Sequence, residues 1–219
     1  MMKKLTITFF CLLLFLTSNF AQTRKPTVKP PTKSSVKSSV IKEVSAEDWL
    51  EITKSLEAED WDKTVSLTAN FLATLKTEND KKQLARLRYF YLFALAGKVS
   101  QGKTTTNELQ NIAQTFIGKD FIMLDRNVLS DCSQSLNYVC PIKNNTQAIW
   151  VSATNKAFTT IHSRESVKLL QPFNFATNNL KNVFVGGILR KVELNPKKDK
   201  VWIMRLNFDN GWVQVVDKK

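Results

Sequence analysis

A single histidine, His162, occurs among 219 residues, which excludes a multi-histidine metal site and a histidine pair. The Gly-x-Ser-x-Gly elbow of serine hydrolases is absent. Carboxylates are scattered, and no two are placed by spacing alone as acid and base. Cysteine is scarce, three in all, with no Cys-x-x-Cys redox spacing. No apolar run reaches the ~20 residues of a comfortable membrane span. Acids are outnumbered by Lys and Arg, 19 to 32, for a formal charge of +13. These gaps leave no catalytic residue, metal ligand or cofactor to nominate, and the chain reads as a non-enzymatic binding or interaction protein.

What is present begins with Lys3 and Lys4, the apolar stretch Leu5 to Leu16, and the polar, small-residue segment Thr17 to Ala21. That order of charge, apolar run and cleavage region is a signal peptide, expected over 1–21, with Ala21 the last residue removed. It resembles the signal peptides of Gram-negative bacteria, which implies a periplasmic or secreted product with no transmembrane span. Cys11 lacks the small residue before it that a lipoprotein site requires. Cys132 and Cys140 then remain in an oxidising compartment, eight residues apart in a polar segment, and are expected to form a disulfide.

Residues 22–44 carry Pro26, Pro30, Pro31, paired serines and six cations against Glu43. This composition cannot bury enough apolar surface to offset its ordering entropy, so a flexible basic linker is expected. Residues 45–118 carry helical signals. Ser45 with Asp48 caps a helix bearing Trp49, Ile52 and Leu56. A second helix starts near Asp62, with Val65, Thr68, Leu72 and Leu75 on one stripe. A third runs from Lys81 to Ala96 and ends at Gly97, and Thr105 with Glu108 caps a fourth that Gly118 closes. The expectation is a small antiparallel helical bundle. Tyr89, Phe90, Tyr91 and Phe93 cover most of one helix circumference and are read as packing residues.

The run Glu59, Asp60, Trp61, Asp62, Lys63, Thr64, Val65 resembles the turn and second-helix start of a tetratricopeptide repeat. The resemblance covers one hairpin, with no second copy at the family's period. It implies a protein-contact role.

From Lys119 to Lys219 the pattern changes to short β-rich runs. Gln147 to Ala153 and Ala157 to Ser163 read as strands, Ile149 and Val151 lying on the opposite side from Trp150. Val183 to Leu194 is longer, and Gly186 with Gly187 suggests a bulge. The loop Asn195 to Lys200 reverses the chain into Val201 to Phe208, where Trp202, Met204, Leu206 and Phe208 share a face. Asn210 and Gly211 are the favoured pair for a two-residue hairpin, which sends Trp212 to Val216 back on its predecessor. The whole is therefore α+β, a helical bundle followed by a small antiparallel β barrel or curled sheet. The oligonucleotide/oligosaccharide-binding barrel is one topology offered by analogy.

Charge divides along the same line. Ala46 to Gly118 is nearly neutral, while the β region is basic, with Lys197, Lys198 and Lys200 at one hairpin tip as candidate binding residues. Partners follow in two classes: another envelope protein or polymer bound by the helical bundle and β domain, or nucleic acid or another polyanion on the basic β region through aromatics such as Trp150, Trp202 and Trp212. Alternation places many of those aromatics toward the core, which favours the first class.

One motif points elsewhere. Gly97, four residues, Gly102, Lys103 and Thr104 match the phosphate-binding loop of nucleotide hydrolases, and Phe121 to Leu124 before Asp125 resembles their apolar strand and magnesium-binding acid. That loop needs a strand before it and a helix after it. The preceding segment has helical spacing, so a glycine-bounded helix connection is expected. His162 is read as structural or exposed rather than as a general base.

Overall fold

The computed structural model describes residues 43–75, 80–132, 136–143, 145–196 and 202–216. The expected signal peptide, the linker up to residue 42 and the Lys197, Lys198, Lys200 cluster lie outside the described residues. At the end of that linker Val44 is already buried, and its N–H donates to Gln83 Oε1 at 2.8 Å.

Among the described residues four helices precede seven strands, so the class is α+β. Helix α1 (Ala46–Glu57) opens with the capping box read from Ser45 and Asp48. Helix α2 (Trp61–Thr74) is capped by Asp60 and buries Trp61, Thr64, Thr68 and Phe71 along one stripe. Helix α3 (Lys81–Ser100) buries Leu87, Tyr89, Phe90, Leu92, Phe93 and Leu95 around most of its circumference, as a helix enclosed by neighbours must. Helix α4 (Thr106–Gln114) is capped by the Thr105 side chain, which accepts from the Glu108 N–H.

The third helix does not end at Gly97. It continues to Ser100, and Gly102, at φ +71°, takes the left-handed conformation beyond it. Gly97 answers a packing need instead: a Cβ there would stand 2.4 Å from Trp61 Cδ2. The two glycines of the phosphate-loop pattern thus do separate jobs at the end of one helix, and the strand which that loop requires is replaced by helix.

The strands are β1 (Asp120–Ile122), β2 (Arg126–Val128), β3 (Tyr138–Ile142), β4 (Asn145–Thr154), β5 (Ile161–Leu169), β6 (Asn182–Leu194) and β7 (Trp202–Val215). They form one curled sheet in the order β1-β6-β2-β3-β4-β5-β7, with β6 also paired to β7. Successive pairings from β6 through β2, β3, β4, β5 and β7 therefore return to β6. The sheet is mixed, not antiparallel throughout as expected: β2 with β3 and β5 with β7 run parallel. The β5–β7 pair is parallel because β6 lies between them in the chain and runs opposite to both. Seven strands in this order also differ from the five of the oligonucleotide/oligosaccharide-binding topology.

Two further expectations are corrected. Asn210 and Gly211 make no hairpin, since β7 runs straight through them and stays on β6, with Val213 opposite Val185. Asn210 takes φ 52° where the register slips opposite Gly186 to Ile188. The residue types that suit a tight turn suit a bulge equally, because both need a left-handed residue. Ala157 to Thr160 form a turn, and the strand placed there begins at Ile161.

Cys132 and Cys140 are bonded, with 5.5 Å between Cα atoms, which staples the β2–β3 connection to β3. Among the described residues no helix is long and apolar enough to cross a membrane.

Candidate functional site

An opening of about 850 Å³ lies where the α1–α2 turn meets the β4–β5 turn and the start of β2. Glu59 holds the first turn in the left-handed conformation at φ 56°, and its Oε1 accepts the Lys156 N–H of the second. Asn155 shapes that second turn, its Oδ1 accepting from the Thr159 and Thr160 N–H groups, each at 2.9 Å. Across the opening Asn137 exchanges two hydrogen bonds with Thr154, at 3.0 and 3.1 Å. The Asn182 amide donates to Asp125 Oδ2 at 2.7 Å. The asparagines are thereby committed to holding the rim in shape. Phe158 is different. It stands 63% exposed on the rim at φ 57°, a conformation uncommon for a bulky side chain.

The floor is aromatic. Trp61 meets Phe93 edge-on at 5.7 Å and His162 edge-on at 5.1 Å, and Phe93 lies 5.0 Å from His162. Behind these rings His162 is fully buried, and desolvation pushes its pKa down to about 4. Ser100 Oγ is 3.5 Å from His162 Nε2, yet the hydroxyl makes a shorter bond, donating to the Gly97 carbonyl at 2.7 Å. Among the described residues His162 Nδ1 has no hydrogen-bond partner, and none of their carboxylates orients the ring. A neutral, unoriented imidazole beside a committed hydroxyl is not an activated nucleophile.

A second buried group sits three residues further along β5. Glu165 is fully buried; the Tyr89 hydroxyl donates to its Oε1 at 3.0 Å, and the Ser163 hydroxyl donates to the same oxygen. Desolvation pushes the carboxyl up to about 7, against the lowering influence of Ser163, Tyr89 and Arg126. Burial and the nearby Glu165 push Tyr89 well above the usual tyrosine value. Glu165 Oε2 and Arg126 Nε are buried without hydrogen-bond partners among the described residues, and Arg126 lines the cleft.

Sequence reasoning missed Glu165 and Arg126. The first was detectable: Ile161, Ser163, Glu165, Val167 and Leu169 alternate onto the buried face, and an acid on such a face is a signal. Arg126, in a three-residue strand, carried none. The phosphate-loop lysine, Lys103, together with Lys98, ion-pairs with Asp62, and the Thr104 hydroxyl donates to Glu108 Oε2. Of the aromatics that alternation was expected to turn largely toward the core, Trp150 and Trp212 stand 40% and 38% exposed. No family model, curated protein or solved structure matches this chain.

Proposed function

We propose that this chain is an exported, non-enzymatic binding protein of the cell envelope and that its partner, another envelope protein or a polymer, seats in the cleft between the α1–α2 turn and the β4–β5 turn. The observation that carries the reading is Phe158, a large apolar side chain held exposed at the rim in a left-handed conformation. Such a placement costs both hydration and backbone energy, of order 1–3 kcal/mol for the backbone alone, and a partner that covers the ring recovers the first. The resemblance of Glu59 to Val65 to a protein-contact hairpin supports the same wall of the cleft. The Cys132–Cys140 bond suits an oxidising compartment, and the leader Lys3 to Ala21 supplies the route there.

Affinity isolation from envelope extract tests the reading with two baits, the native chain and Phe158→Ala. The native bait captures a defined partner and the variant loses it, with unchanged near-ultraviolet circular dichroism. Capture of the same partner in equal yield by both baits would refute the cleft as its seat.

A further inference from the structure

From the solvent side of β4, β5 and β7, we infer a second site, separate from the cleft, that binds the phosphodiester backbone of single-stranded nucleic acid with one base stacked on Trp150. The register sets it out. Arg164 on β5 lies directly beside Arg205 on β7, with Ser152 of β4 on the other side of Arg164 and Trp150 one step along, opposite Ser166. Neighbouring strands are about 4.8 Å apart, so the two arginines occupy adjacent positions on the sheet, and like charges in directly opposed positions destabilise a sheet. Among the described residues neither arginine ion-pairs with a carboxylate. The acid next in the row, Glu193 opposite Arg205, is already paired with Lys191. Arg205 is held in place by the Trp202 ring, 4.3 Å from its guanidinium carbon.

Two guanidinium side chains on adjacent strands, neither of them ion-paired among the described residues, form a clamp for one oxyanion, and arginine's planar fork favours phosphate. The clamp opens into a depression of about 540 Å³ lined by Trp150, Ser152, Arg164 and Arg205, and Trp150 is 40% exposed there. Trp150 is the diagonal neighbour of Arg164, about 7–8 Å away between backbones. That offset matches a base whose phosphate lies a sugar's length away. A uronic acid, whose carboxylate sits on the stacked ring itself, fits it less well. A base can reach an indole face only when unpaired, so the ligand is a single strand rather than a duplex.

A short fluorescein-labelled oligothymidylate titrated against the full chain at several salt concentrations tests the proposal. Each phosphate contact on a single strand contributes about −0.7 to the slope of log K against log salt. The double variant Arg164→Ala with Arg205→Ala therefore shows a slope shallower than the native chain by about 1.4. Trp150→Ala weakens binding about tenfold through lost stacking while leaving the slope unchanged. Arg164→Lys with Arg205→Lys keeps the slope and loses part of the affinity, which separates charge from fork geometry and controls for folding. Equal affinity and slope in the native and double-alanine chains would overturn the proposal. So would displacement of the oligonucleotide by polygalacturonate at matched charge with stronger binding to these same residues, which would assign the site to an acidic glycan.

Discussion

His162 and Glu165 contribute to stability with opposite dependence on pH. Burial carries Glu165 from 4.5 up to about 7, so within that window the folded chain keeps a proton that the unfolded chain has released. Its contribution is complete below pH 4.5 and is lost as pH rises to about 7. Burial carries His162 from 6.5 down to about 4, so the unfolded chain takes up a proton that the folded one refuses. That contribution is complete above pH 6.5 and is lost as pH falls to about 4. Each amounts to on the order of 3 kcal/mol, and across their common range the slopes oppose. The expected native profile is consequently shallow there, while Glu165→Gln leaves stability rising with pH from about 4 to 6.5 and His162→Asn leaves it falling from 4.5 to about 7. Urea midpoints measured against pH check this, and parallel profiles for the two variants would contradict it. The sequence offered His162 as a lone residue and marked Glu165 only through the alternation of β5, while its partner Tyr89, which donates to it, is 76 positions away and left no local signal.

Among the elements, the end of α3 shows how a motif can be spelled correctly for the wrong reason. Gly97 makes room for Trp61, and Trp61 is itself fixed between Phe93 and His162. Gly97→Ala gains up to about 1 kcal/mol of helix propensity but forces a rigid ring out of place, and overpacking costs about 1–3 kcal/mol. The expected outcome is a lower thermal midpoint. Lys103→Ala removes one of the two partners of Asp62, the half-buried Lys98 remaining, and an exposed ion pair contributes little to stability. If the loop held phosphate, the order of severity would reverse in an ATP-binding assay, with Lys103→Ala abolishing binding that Gly97→Ala only weakens. Helix caps, the aromatic circumference of α3 and the β6–β7 reversal were legible because each is written in neighbouring residues. Strands β1 and β2, three residues each, are too short to show a period. Parallel pairing depends on chain order across the whole sheet, and Asn210–Gly211 encodes a left-handed residue without specifying turn or bulge. The cleft was invisible for the same reason: its walls come from residues about a hundred positions apart, joined by Glu59 and Lys156.

At the scale of the molecule, the composition suggests a neutral helical half and a basic β half, but the apolar interior does not respect that division. One buried cluster runs from Ile52 and Leu92 to Leu189 and Phe208. A chain of rings crosses it, Tyr91 to Phe116 at 6.2 Å, Phe116 to Phe121 at 6.1 Å and Phe121 to Phe208 at 5.6 Å, leading from α3 past the end of α4 into β1 and β7. Tyr89 and Glu165 add a buried hydrogen bond between α3 and β5. Removing the helices would therefore expose Phe121, Leu189 and Phe208 and strand the Glu165 carboxyl, losses of about 1.5–3 kcal/mol for each large side chain against a typical total stability of 5–15 kcal/mol. The prediction is a single cooperative transition, with the helical signal at 222 nm and tryptophan fluorescence sharing one urea midpoint. Replacing both Cys132 and Cys140 by serine lowers the stability measured from either signal by the same amount, about 2–3 kcal/mol for so short a loop, although the bond lies wholly within the β region. Two separated midpoints, or a fragment of residues 119–219 that unfolds cooperatively by itself, would show that the helices and the sheet are independent domains.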